Sequence, residues 1–267
     1  LILIYKHKIL ARVTYFFDFI LKQILGLEYE ITDDKDYFQG KKGAKINYSD
    51  ENFNDSIFIQ PHGLLFENDI RKQSLFITQW DNVKIFFQTN DNSVLPFDLF
   101  SATFYLVSRY EEYLPFNEDP HGRFEAKESL AYKNNFLQDP IIDQWAYSFR
   151  DILKAYYPDL QFKKREFRYI STIDVDNAYA FLFKGISRTL GATLRSLINL
   201  DLEDNIRRYR TLANKRDPYD TYDIFFDTHQ KYGIKPIWFF LVGNSGKFDN
   251  NVSTDKQCYR DLIKSIS

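Results

Sequence analysis

The stretch Ser171-Thr172-Ile173-Asp174-Val175-Asp176-Asn177-Ala178 decides how the second half of the chain is read. It closes a β-rich run, Phe167 to Ile173, with two carboxylates separated by one valine. In an extended backbone, residues two apart face the same side. Asp174 and Asp176 therefore point into one space. In parallel α/β folds, the space beyond the C-terminal end of a strand is where ligands bind. Two like charges so close are unfavourable unless a cation lies between them or one stays protonated. A divalent metal would resolve the conflict, with one Asp as ligand and the other accepting a proton from water. The spacing alone equally allows both residues to cap a loop or the following helix, a common role for Asp.

Outward from this stretch, the pattern is strand, helix, strand, helix. Thr221 to Tyr232 read as a helix with Gly233 as its C-cap residue. Ile237-Trp238-Phe239-Phe240-Leu241-Val242 read as a strand of the fully buried kind, and a last helix starts near Ser253. A mixed segment with Gly185 and Gly191 and a polar helix around Leu202–Asn214 lie between. This order begins an α/β parallel arrangement. The charged lead-in Lys163-Lys164-Arg165-Glu166 and the change of composition place a domain boundary near 158–166. The fold class is α/β: a mixed α/β domain over 1–160, then the first part of a (β/α) barrel over 161–267.

The first domain opens with a short buried strand, Leu1 to Tyr5. From about Ile9 to Leu25, the positions Val13, Phe16, Phe17, Ile20, Leu21, Ile24 and Leu25 recur at helical spacing, and Gly26 stops the helix. Leu27 to Thr32 alternate as a half-buried strand, and Asp33-Asp34-Lys35-Asp36 mark a turn. Strands are expected at Ala44–Tyr48, Ser56–Gln60, Leu75–Thr78 and Lys84–Gln88, and helices at Asp98 to Tyr113 and Ile142 to Tyr156.

Composition excludes several classes. With 18% aromatic residues, the chain is not a disordered one. Its 35 basic and 37 acidic residues give no global reason to bind nucleic acid. The single cysteine, Cys258, permits no intrachain disulfide and reads as a structural thiol. Gly185, Gly191, Gly243 and Gly246 form no phosphate loop. No apolar run approaches the ~20 residues of a membrane span, and Lys6, His7, Lys8 and Arg12 break up any signal peptide. That leaves the compartment open and leans toward the cytoplasm. Pro61-His62-Gly63 and Pro120-His121-Gly122 read as turn histidines, and Arg109 as a partner of Glu112 one turn on.

The stretch Ser171 to Ala178 resembles the first motif of the NodB-homology polysaccharide deacetylases (carbohydrate esterase family 4), where a Thr-x-Asp-x-Asp or Thr-x-Asp-Asp stretch closes the first barrel strand. Asp217-Pro218-Tyr219-Asp220-Thr221-Tyr222-Asp223 and Tyr232-Gly233-Ile234-Lys235-Pro236-Ile237-Trp238-Phe239-Phe240-Leu241 resemble the second strand and its preceding helix in bacterial members. Pro96-Phe97-Asp98, Ser108-Arg109-Tyr110-Glu111-Glu112-Tyr113 and Arg123-Phe124-Glu125-Ala126-Lys127-Glu128-Ser129 resemble the domain of unknown role that precedes the barrel in such proteins. The resemblance implies metal-dependent deacetylation of an N- or O-acetylated polysaccharide or oligosaccharide. Asp174 is then the general base and Asp176 a ligand of a divalent metal such as zinc. Tyr179, just after the motif, is the aromatic residue offered to a sugar ring.

The chain departs from the family in one respect. The metal site there also needs a His-x-x-x-His stretch after the second strand. The only histidines are His7, His62, His121 and His229, and no two are four apart. The chain begins with Leu, contains no Met and stops in a helical stretch at Ser265-Ile266-Ser267. Truncation is therefore expected, with residues 1–267 inactive alone. A non-catalytic glycan-binding or structural protein with a degenerate barrel is the alternative, and a metal-dependent amidohydrolase of a small molecule is a third reading. The residues select no particular glycan, acyl group or oligomeric state.

Overall fold

A computed structural model describes residues 1–8, 10–164, 166–200, 202–214, 216–243 and 252–266. The chain divides into two compact units, Leu1–Arg165 and Glu166–Ser267. The fold class is mixed α/β, with parallel and antiparallel strand pairs.

Unit 1 is built on a four-stranded parallel sheet, β1 Ile2–Tyr5, β2 Tyr29–Thr32, β3 Lys45–Asn47 and β4 Ile57–Phe58, in the order β2-β1-β3-β4. Strand β1 is apolar throughout because both its faces are covered. Ile2 and Ile4 enter the main core, while Leu3 packs with Phe38 and Phe53 in a separate cluster. Phe38 belongs to α2, Lys35–Gly40, where a turn is expected from the sequence. Asp34 decides the outcome: its carboxylate accepts from the Tyr37 N–H at 2.9 Å and caps a short helix.

The helix expected from Ile9 to Leu25 is α1, Ala11–Phe17, continuing as a π-helical stretch, Asp18–Ile24; Ile9 lies outside the described residues. The apolar pairs 16/17, 20/21 and 24/25 repeat every four residues, and a 3.6-residue turn drifts off that repeat. The wider turn, marked by the Leu25 N–H bonded to the Ile20 carbonyl at 3.0 Å, keeps all three pairs buried. Gly26 ends the helix with φ at +68°, and a Cβ there would lie 2.1 Å from the Lys163 Cβ. Only glycine fits.

The antiparallel pair β5 Thr78–Trp80 and β6 Val83–Ile85 replaces the strands expected at Leu75–Thr78 and Lys84–Gln88, because Asp81 and Asn82 take positive φ and close a tight turn. Helix α3 covers Leu99–Val107, not the whole of Asp98 to Tyr113. Arg109 adopts a left-handed conformation and restarts the chain as a 3₁₀ turn, Tyr110–Tyr113. Short α4, Leu130–Lys133, leads to α5, Ile141–Tyr156, whose Trp145, Phe149 and Leu153 enter the core. The Trp145 indole N–H donates to the Lys84 carbonyl at 2.9 Å, so burying this ring leaves no polar atom unpaired. Leu160 and Phe162 also pack against this core, which carries the unit past residue 160.

Asp98 ties these parts together. Its buried carboxylate accepts from the Phe100 and Ser101 N–H groups at the start of α3, from the Tyr48 hydroxyl after β3 (2.8 Å) and from the His62 N–H after β4 (2.8 Å). Burial, with the Asp98 charge adding to it, holds the Tyr48 hydroxyl protonated well above its usual range.

Unit 2 consists of β7 Thr172–Val175, α6 Ile186–Ile198, α7 Leu202–Asn214, α8 Tyr222–Lys231, β8 Ile237–Phe240 and α9 Gln257–Ile266. Strands β7 and β8 pair in parallel, Thr172 with Ile237 through Val175 with Phe240. The strand expected over Phe167 to Ile173 therefore lies further along, and Phe167 is 94% exposed. The reason is the partner: β8 begins at Ile237, whose N–H donates to the Ser171 carbonyl at 2.9 Å, so the pairing starts there. Strand β8 is also not buried on both faces within this unit. Trp238 and Phe240 pack toward α8 and α9, whereas Ile237 and Phe239 are 47% and 53% exposed. The segment around Gly185 and Gly191 is helical from Ile186 onward, and α6 packs on α7. Cys258 lies half-buried in α9, which starts later than Ser253. The expected loop Gly243-Asn244-Ser245-Gly246 falls, after Gly243, outside the described residues, as does Ser267. Among the described residues no helix is long and apolar enough to cross a membrane.

Asp98→Ala leaves three buried donors and one part-buried donor facing a methyl group. It is expected to destabilise unit 1 by roughly 3–5 kcal/mol, read as a lower urea midpoint. A loss below about 1 kcal/mol would show that the bonds are replaced elsewhere.

Candidate active site at the end of a parallel strand

Along β7 the side chains alternate. Ile173 and Val175 turn to the unit's small core, with Ala178, Tyr222 and Tyr259, while Thr172 and Asp174 lie on the exposed side. Asp176, the first residue past the strand, is exposed as well. The two carboxylates thus stand at the C-terminal end of a strand whose parallel partner follows through a helical crossover.

What holds the segment after Asp176 is a residue the motif does not include. Asp217, 2% exposed, accepts four backbone N–H groups: Ala180 at 2.7 Å, Phe181 and Leu182 at 2.9 Å, and Tyr219 at 3.0 Å. Burial pushes its carboxyl pKa up, but the N–H groups of Leu182, Phe181, Tyr219 and Ala180 outweigh burial and hold it below the ordinary value. The Tyr222 hydroxyl adds a bond to the Ala178 carbonyl at 3.1 Å. Asn177, with its amide turned to satisfy both ends, donates to the Tyr179 carbonyl at 3.1 Å and accepts from the Lys184 ammonium at 3.2 Å. The backbone from 177 to 182 is accordingly fixed by side chains that come from before and within α8. Sequence reading assigned Asp217 no role. Its only signal is the Asp-Pro pair ahead of a helix, which reads as a turn.

Tyr179 sits three residues past Asp176, half-buried, with its ring edge-on to Phe183 at 4.8 Å. Burial pushes its hydroxyl pKa up to about 12.

The histidines serve elsewhere. His229 lies 2.8 Å from the Ser171 hydroxyl, at the start of β7 and so at the end opposite Asp174. In unit 1, His62 stacks on Phe87 at 4.0 Å, and burial lowers its pKa. The His121 N–H donates to Asp119 in a turn. Arg109 donates to Glu112 at 2.6 Å, the pairing expected from their spacing. Among the described residues, no three of His, Cys, Asp and Glu come together in a way that could hold a metal ion. Asp174 and Asp176 can accept protons and hydrogen bonds, and offer carboxylate oxygens to a cation that finds its other ligands elsewhere.

Residues 2–158 match a family of unknown function, DUF7033. The match lies within unit 1 and ends before the two carboxylates. No curated protein and no solved structure matches the chain.

Asp217→Ala is expected to speed hydrogen exchange at the amides of residues 180–182 by about tenfold or more, the equivalent of one lost charge-assisted bond. In the wild type the bonds contribute fully above the unfolded carboxyl value near pH 4. Because the folded value is lower, they are lost as the pH falls through it. Asp217→Asn removes that acid dependence; an unchanged acid profile contradicts the role.

Proposed function

The chain belongs to the family of unknown function DUF7033, and we propose that its unit 2 is the opening part of a deacetylase barrel of the NodB-homology kind, acting on an N- or O-acetylated polysaccharide. The observation that carries this reading is the place of Asp174 and Asp176 on the exposed side and at the C-terminal end of β7, in a strand–helix–strand unit with parallel pairing. Ligands of parallel α/β folds bind there.

Asp174, near the end of the strand, is the general base: it accepts the proton of the water that attacks the acetyl carbonyl, and the electron pair moves onto the carbonyl oxygen. As that pair returns, the bond to the sugar nitrogen or oxygen breaks and the leaving atom takes up the proton from Asp174. Asp176 would offer its carboxylate to a divalent cation, which would supply Lewis-acid polarisation of the carbonyl. The Tyr179 ring lies against the sugar. Asp217 acts through the loop it pins, setting where Asp176 and Tyr179 stand. Unit 1 serves to pack or to position the substrate.

The donors present do not by themselves fit a catalytic zinc, which takes three protein ligands. Asp176 is one; within unit 2, His229 lies by Ser171 at the other end of β7, and no metal-holding group of His, Cys, Asp and Glu occurs among the described residues. A working centre therefore draws its remaining ligands from outside these residues.

Reading the coding sequence past Ser267 is the first test. A His-x-x-x-His stretch within the next few dozen codons is expected, and its absence sinks the enzymatic reading in favour of a glycan-binding or structural barrel. In the protein that carries that stretch, Asp174→Asn is expected to lower acetate release from chitooligosaccharide or peptidoglycan by about a hundredfold or more. Unchanged release would remove Asp174 from the base role.

A further inference from the structure

Strand order gives unit 1 a feature of its own. The chain leaves β1 for β2 on one side and then crosses to β3 on the other, so the direction of winding reverses between β1 and β3. In open parallel sheets, the C-terminal ends of the two strands at such a reversal diverge and leave a crevice that takes ligands. Here a cavity of about 210 Å³ lies at that point. Lys6, His7 and Lys8 line it from the end of β1, Tyr48, Ser49 and Asp50 from the end of β3, and Pro61 and Phe66 close it.

Lys6 is the unusual member. It is 1% exposed, and its ammonium has no hydrogen-bond partner. The ammonium lies 4.6 Å above the ring of Phe66, a wall of the same cavity, so the charge is aimed at the cavity space. A buried ammonium without a partner is unfavourable unless something opposite in charge meets it. The carboxylates nearby are engaged or turned away. Asp98 is saturated by four donors, Glu51 pairs with Lys35 at 2.6 Å, and Asp50 is exposed. Burial, with Lys8 adding to it, lowers the Lys6 pKa to about 8, which still leaves the group mostly protonated at neutral pH.

We propose that unit 1 binds a small oxyanion-bearing molecule in this crevice, with its anionic group on the Lys6 ammonium and its apolar part against Phe66 and Pro61. Lys8 adds positive charge at the mouth, and Tyr48 is fixed by its bond to Asp98. Phosphoryl and carboxylate groups share the chemistry that a lysine point charge recognises.

The test is calorimetric titration of the chain with pyrophosphate and, separately, with citrate, at constant ionic strength so that general screening does not change. Binding of either anion is expected, and which one binds distinguishes a phosphoryl ligand from a carboxylate. Lys6→Met removes the charge but keeps the length of the chain, and should weaken binding by about tenfold or more while leaving the fold intact. Asp50→Asn removes the one acidic lining residue from an exposed position and should tighten binding by about two- to fivefold. That second variant keeps the test decisive if Lys6→Met fails to fold. Binding of neither anion by the wild type overturns the proposal, as does unchanged affinity in Lys6→Met or in Asp50→Asn.

Discussion

Parallel pairing around β1 and between β7 and β8 sends the strand ends of each unit the same way. Parallel neighbours cannot be joined by a tight turn, so every connection must climb back through a crossover. The helices α1 and α2 exist to make those returns in unit 1, and α8 lies on the return to β8 in unit 2. The same constraint collects all C-terminal strand ends on one edge of each sheet. There the ladder stops, side chains are released from packing, and charged groups can stand without opening the core. Lys6 and Asp174 both occupy such positions, one just past β1 and one near the end of β7.

A shared device steadies each of these edges. In unit 1, Asp98 joins two strand ends to the start of α3. In unit 2, Asp217 joins the loop after β7 to the approach to α8. Each is a buried carboxylate that meets only donors, three or four of them backbone N–H groups. Such a set satisfies clustered backbone N–H groups without any ligand, and it needs a carboxylate of fixed length. Asparagine could accept fewer bonds and would bring an unmatched N–H₂ of its own.

Much of the fold was legible because it is local. The apolar run Ile2 to Ile4, the spacing of Val13 to Leu25, and Gly26 and Gly233 after their helices each carry their own signal. What was not legible depends on partners far along the chain. Where β7 begins is set by its partner β8, more than sixty residues later, not by the β-rich letters of Phe167 to Ile170. The break in the helix at Arg109 reflects a backbone flip that no residue type announces, since Ser and Arg both continue helices. At the candidate site, the spacing of Asp174 and Asp176 was enough to place both at one strand end. Asp217 was hidden because its four bonds reach residues up to 37 positions away. Lys6 was hidden because Lys-His-Lys reads as a solvated charge run, and only the sheet order buries it.

The most direct measurement of the account is the set of backbone amide NOEs between residues 172–175 and 237–240 in the perdeuterated protein. Parallel pairing predicts ascending cross-strand contacts, from Thr172 with Ile237 to Val175 with Phe240. That order places Asp174 and Asp176 at the end where a parallel α/β fold binds its ligand. A descending order, or no cross-strand contacts between these segments, would contradict it.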